Sequence, residues 1–170
     1  MNIEIFRITI IITMLAMASY FDIFNKRLVD DRIYQISTVL GLGLLLYDNP
    51  WGWIPVIAVI SITTIIGLGF FVIGAWGGAD AKLLIAISVI QPFWSSPFPF
   101  EKLLIHPVVS MATFANALIL AMIVCIPFAI KQRSLNVTIP FVPFFLVGYV
   151  FLILKGDLMS WIVIYGNMFL

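Results

Sequence analysis

Apolar runs, the longest of them of the about 20 residues needed to cross a bilayer, take up most of this 170-residue chain and dictate what it can fold into. They fall at residues 8–21, 33–47, 51–75, 83–90, 108–130 and 139–154, with a 13-residue tail at 158–170. In lipid, backbone amides must be satisfied within a helix or a closed barrel. The runs therefore predict an all-α, polytopic membrane protein with about six transmembrane helices, forming a single transmembrane helical domain over residues 1–170. Charge supports this: 10% of residues are charged, against roughly 25% in a soluble domain. So little polar sequence leaves no room for a separate soluble domain.

The breaks between runs set the boundaries. Asp48-Asn49-Pro50 is a turn signal, because the ring of Pro50 keeps residue 49 out of the helical region. Trp51 and Trp53 follow as expected interfacial anchors. Residues 91–107 hold four prolines, three phenylalanines and a tryptophan, and read as an aromatic interfacial loop. Lys155-Gly156-Asp157 ends the sixth run. The second run carries Gln35, Ser37 and Thr38 and is expected to face protein more than lipid. Glu4 and Arg7, ahead of the first run, are expected to snorkel to the interface. Gly41, Gly43, Gly67, Gly69 and Gly74 read as helix-packing positions. The first run lacks a following small-residue cleavage site and is read as a retained helix.

Composition also narrows function. A net charge of +1 with no Lys/Arg block argues against a nucleic-acid partner. The single cysteine, Cys125, rules out an intramolecular disulfide and any zinc site built on Cys pairs. With the N-terminus outside, the cytoplasmic loops hold Lys26, Arg27, Arg32, Lys82, Lys131 and Arg133, six against three on the other side (Arg7, Lys102 and Lys155). That bias favours the N-out orientation.

One stretch organises the rest: Trp76-Gly77-Gly78-Ala79-Asp80-Ala81-Lys82. Two glycines and an alanine precede a carboxylate placed where a membrane helix begins. An ionisable group at that depth is costly and is by default a functional candidate; the small residues before it let a substrate backbone come close. In the N-out orientation the first helix ends near Asp22 and the third delivers the chain to Asp80, both near the cytoplasmic face. Two carboxylates sharing a site do not both ionise easily, so one keeps a proton. One can then activate water while the other polarises a carbonyl, with no metal and no cofactor. Lys82, two residues on, is a candidate for tuning how the pair shares its proton. Asp30 and Asp31 are expected to pair with Lys26, Arg27 and Arg32. The lone histidine, His106, falls in the proline-rich loop on the opposite side, which leaves no Ser-His or Cys-His pair; a carboxylate-only cation site stays open.

These segments resemble the Gly-x-Gly-Asp intramembrane aspartic proteases, in particular the type IV prepilin peptidases and archaeal preflagellin peptidases. The resemblance rests on Asp22 at the end of helix one, on Gly77-Gly78-Ala79-Asp80 with Ala81-Lys82, and on Ile139-Pro140-Phe141-Val142-Pro143-Phe144, similar to the family's Pro-Phe-x-Pro segment. It implies Asp22 and Asp80 as catalytic residues and Gly77, Gly78 and Ala79 as substrate-approach positions. Ala79 stands where the broader family has glycine. Gly-Gly-Ala-Asp is closer to the archaeal branch, while the length is also that of the small bacterial Tad-type prepilin peptidases. Neither the cysteine-rich domain of many bacterial members nor a methyl-transfer motif is present, so cleavage without methylation is expected.

The resemblance implies an intramembrane endopeptidase of the cytoplasmic membrane. Its partners would be prepilin-like or preflagellin precursors, which carry short basic leaders, and membrane lipids. Two other classes are weighed: a transporter or channel passing protons or cations, against which the helix-end aspartates argue only weakly, and a non-catalytic assembly factor of a pilus or archaellum, against which they argue.

Overall fold

The computed structural model describes residues 3–24, 29–74, 76–93, 108–132, 140–156 and 158. Among them are six α-helices and no strand: α1 (Ile3–Phe24), α2 (Asp31–Tyr47), α3 (Trp53–Val72), α4 (Gly78–Ile90), α5 (Val109–Gln132) and α6 (Val142–Lys155). An isolated antiparallel bridge joins Phe93 to Val108, so the chain leaving α4 returns beside itself to begin α5. Most of the 91–107 stretch, His106 included, lies outside the described residues, as do Lys26, Arg27 and all of the 158–170 tail but Leu158.

Local chemistry sets the helix ends. The Asp30 carboxylate accepts from the Arg32 N–H at 2.9 Å and caps α2, a contribution of about 1 kcal/mol. It is thus a helix cap, and Asp31 pairs with Lys82 on α4 at 2.6 Å; of the basic residues expected to pair with these two carboxylates, Lys26 and Arg27 lie outside the described residues. Tyr47 is the last residue of α2, one before Asp48-Asn49-Pro50. Gly74, at φ 73°, turns the chain after α3, a conformation in which a side chain would be strained. Gly156, at φ 88°, does the same after α6.

Three helices are long and apolar enough to cross a membrane, α1, α3 and α5, the last over Val109–Pro127. The protein is therefore a membrane protein by its described helices. Helix α4 has 13 residues, eight of them buried. It rises only about 20 Å, and α2, α3, α5 and α1 pack around it. The main core gathers Ile11 and Leu15 of α1, Leu83, Leu84 and Ile87 of α4, and Phe145 and Tyr149 of α6. Around the outside, Ile54, Ile65 and Val72 of α3 and Val39 and Leu46 of α2 are exposed, the pattern of a surface solvated by lipid.

That surface corrects the reading of α2. Ile33, Tyr34, Ser37, Gly41 and Leu45 are buried, a single stripe of helical period, while Gln35, Ile36, Val39 and Leu40 face outward. The small-residue reading also divides. A methyl on Gly41 would lie 2.7 Å from Ile90, so α2 and α4 touch there backbone to side chain. Gly67 faces the backbone of Ala81. Gly43 and Gly69 face open space and Gly74 serves a turn, so none of these three is a packing position. A comparably tight crossing is at Gly148, which the spacing did not mark: its added Cβ would meet the Ala117 nitrogen at 2.8 Å, where α6 crosses α5.

Glu4 and Arg7 do not snorkel. Arg7 is 1% exposed, donates to the Asp48 carbonyl at 2.6 Å and lies 4.5 Å over the Trp51 ring. Glu4 accepts from the Gln91 amide and pairs with Arg7 at 3.9 Å, while Tyr149 donates to Gln91 at 2.6 Å. Trp51 is accordingly a packing partner of Arg7 and Phe93, while Trp53 stays exposed, as an interfacial anchor would. The reason is distance: these partners come from loops and helices 41 to 87 residues away.

Candidate active site

At the other end of α1, Asp22 occupies the last turn and is 7% exposed. Its Oδ2 accepts from the backbone N–H of Val142 at 3.2 Å. Val142 opens α6, and the residue before it, Phe141, supplies no side-chain cap. The first N–H groups of a helix have no partner within the helix; here a carboxylate 120 residues away takes one of them. Pro143, lacking an N–H, fits the first turn at no cost. The Pro140-Phe141-Val142-Pro143 segment is therefore the element that presents a helix N-terminus to Asp22.

Asp80 sits in the first turn of α4 and is half-buried. Its Oδ2 accepts from the Gly77 N–H at 3.1 Å, and its own N–H donates to the Gly77 carbonyl at 3.2 Å. Each carboxylate is thus held at a helix N-terminus, Asp80 at its own and Asp22 at that of α6. The partial positive charge there favours the anion by about 0.3–1 kcal/mol, more where buried, which offsets part of the cost of desolvating a carboxylate.

The phenol of Tyr34 lies in the electrostatic field of Asp80, Asp22 and Asp31, in decreasing order. It is packed in the main core with Ala18 of α1 and Leu83 and Leu84 of α4. Lys82 reaches across from α4 to Asp31 at 2.6 Å, with the two side chains about half exposed. Two grooves open beside this region. One, of about 530 Å3, separates α1 from α2 and runs from Phe6 and Thr9 to Asp30 and Arg32. The other, of about 410 Å3, lies between α2 and α4, lined by Asp31, Tyr34, Gln35, Thr38, Val39, Lys82 and Ile85.

The glycines before Asp80 are explained neither by strain nor by tight internal packing. Gly77 has φ −72° and is exposed, and a Cβ there would meet the nearest atom, Asp80 Oδ2, at an ordinary 3.4 Å. At Gly78 it would meet the Phe71 ring at 3.5 Å. Ala79 stands in the first turn of α4, where alanine is at ease. Among the described residues no three His, Cys, Asp or Glu side chains gather into a metal-binding group. Sequence reasoning missed Tyr34 and the Val142 N–H. A signal for Tyr34 existed: residues 33, 34, 37, 41 and 45 share the buried stripe of α2, and Tyr34 is its polar member nearest the charged end.

A bundle of apolar helices is a feature expected of a membrane peptidase, and the comparison with protein families agrees. The type IV leader peptidase family matches residues 9–130, well over half the chain, and the chain belongs to that family. The match takes in Asp22, Tyr34 and the Gly77–Lys82 stretch and ends ahead of α6. The hydrogen bond from Val142 is what ties α6 to Asp22. No curated protein matches the chain.

Proposed function

We propose that this peptidase is an intramembrane aspartic endopeptidase, with Asp22 and Asp80 as its catalytic pair. Its substrates are type IV prepilin-like or preflagellin precursors, cleaved at the cytoplasmic face of the cell membrane to remove a short basic leader. The observation that carries this reading is that Asp22 and Asp80, 58 positions apart in sequence, each accept a hydrogen bond from a backbone N–H at the start of a helix.

One carboxylate, ionised, takes a proton from a water as its oxygen attacks the scissile carbonyl carbon. The other, protonated, gives its proton to the carbonyl oxygen, forming a neutral gem-diol. Collapse breaks the C–N bond, with a proton passing to the leaving nitrogen and one carboxylate again protonated. The precursor's apolar helix enters from the lipid through the α1–α2 groove, and its leader boundary unwinds near Gly77 and Gly78, where the absent side chains leave room. Six spans with the N-terminus outside, folded as one domain over residues 1–170, place the pair on the cytoplasmic side. Ala79 accepts the same approach, and Lys82 biases the pair from the groove's rim.

The test mixes purified protein in liposomes with a panel of such precursors, alongside Asp22→Asn and Asp80→Asn. We expect a leader-length loss of mass with wild type, lowered at least about 10³-fold in either variant, the scale of removing a member of a catalytic unit, with both variants still folded. Full activity in one variant removes that residue from the pair. A folded wild type that cleaves no precursor moves the weight to proton or cation passage, which flux dependent on the two aspartates would reveal.

A further inference from the structure

Tyr34 is 4% exposed, and its hydroxyl has no hydrogen-bond partner among the described residues. A buried tyrosine usually finds a partner for its O–H, and a buried donor left without one destabilises the fold. Packing alone is served as well by phenylalanine, since it is the ring that fills space in the main core. The oxygen therefore adds a cost that no described residue offsets.

Its location says where a partner comes from. Tyr34 stands one turn into α2, beyond Asp31, which is tied to Lys82 at 2.6 Å, two residues past Asp80. It also borders the groove between α2 and α4. A neutral phenol can donate to an oxygen that gains negative charge without adding a charge to a site already holding two carboxylates.

We propose that the Tyr34 hydroxyl is a substrate-contacting donor of the peptidase site, reserved for the carbonyl oxygen of the scissile peptide and strengthening its hold as that oxygen gains charge. It makes a hydrogen bond and transfers no proton. The proposal rests on the reading of Asp22 and Asp80 as the catalytic pair.

Tyr34→Phe removes the oxygen and nothing else. With the precursor that wild type cleaves best, kcat should fall about 10- to 100-fold, toward the range seen when a single oxyanion donor is removed. KM should stay within about threefold and the pH optimum should not move. The thermal midpoint of the variant, read without substrate, should equal or exceed that of wild type, because an unsatisfied group is gone. Wild-type kcat in Tyr34→Phe would sink the proposal, as would a lowered midpoint, which marks a structural partner. A displaced pH profile at unchanged maximal rate would make Tyr34 a group acting through the carboxylates, and overturn substrate contact. Asp22→Asn and Asp80→Asn separate the two claims: if they are inactive while Tyr34→Phe is fully active, the pair stands and Tyr34 does not. If either aspartate variant cleaves, the reading of the pair is what fails.

Discussion

The two ends of α1 each bury charge in the same bundle and handle it in opposite ways. At its N-terminal end, Glu4, Arg7, Gln91 and Tyr149 bind one another and the Asp48 carbonyl, drawing α1, α4, α6 and the α2–α3 turn into one knot. Arg7 Nε and the Asn49 side-chain amide are the loose atoms there, but Arg7 spends its other nitrogens on protein. At the C-terminal end, Asp22 and Asp80 take backbone N–H groups at helix starts, and Tyr34 offers a donor that the described protein does not use. A polar cluster whose members answer one another holds helices together. One that holds carboxylates at helix ends near an unused donor, beside open grooves, is on the proposed reading where a substrate is received. The comparison predicts that the first end governs stability and the second governs cleavage.

The sharpest way to break this contrast is at the second end. The loss of cleavage in Asp22→Asn and Asp80→Asn, at least about 10³-fold, should come without loss of fold, since asparagine keeps an oxygen that can accept from Val142 or Gly77. Next in size is Arg7→Met at the first end. Removing one partner from a buried charged network costs about 3–5 kcal/mol, so the thermal midpoint should drop sharply while the kcat of the surviving folded protein stays near wild type. A folded Arg7→Met enzyme with lost kcat would mean that the two ends are coupled, and the contrast would fail.

Part of this was legible in the sequence and part was not, for physical reasons. Helix boundaries follow from local rules, and Asp48-Asn49-Pro50 and Lys155-Gly156 fall where α2 and α6 end. Asp22 and Asp80 stood out because a carboxylate at an apolar helix end is expensive wherever it lies. What sequence could not supply was the identity of distant partners. Glu4 and Arg7 looked like interfacial residues because snorkelling needs no partner; the Gln91 that keeps Glu4 inside is 87 residues away. The Val142 N–H is a backbone group with no residue type to flag it. Tyr34 is apolar enough to vanish into a core stripe. The glycines show the same limit: spacing cannot tell Gly41, pressed on Ile90, from Gly43, facing open space two residues on.

Gly148 and Gly43 offer a paired control. Gly148→Ala forces a methyl to within 2.8 Å of the Ala117 nitrogen and 3.0 Å of the Thr113 carbonyl. Backbone atoms cannot yield as a side-chain tip would, so overpacking should cost about 1–3 kcal/mol and loosen α6. Because α6 presents Val142 to Asp22, cleavage should fall along with stability. Gly43→Ala, with no atom within 4 Å, should leave cleavage intact and raise stability by about 0.4–1 kcal/mol, since alanine narrows the unfolded ensemble. Equal effects of the two would mean that the α5–α6 crossing does not support the site.

Lys82 should give the smallest effect, and its size discriminates between two roles. Its ammonium is 49% exposed and lies 2.6 Å from an Asp31 carboxylate that is 57% exposed. An exposed pair contributes about 0–1 kcal/mol and is screened by salt, so Lys82→Met should barely change the thermal midpoint. Its influence on Asp80 is divided with Asp31, whose negative charge cancels much of it at a distance. If Lys82 biases the proton sharing of the pair, neutralising it removes a positive charge that favours the ionised form. The acid limb of the pH–rate profile should then move to higher pH, and the move should shrink at high salt. A profile unchanged at low salt would confine Lys82 to bridging α2 and α4 at the groove's rim.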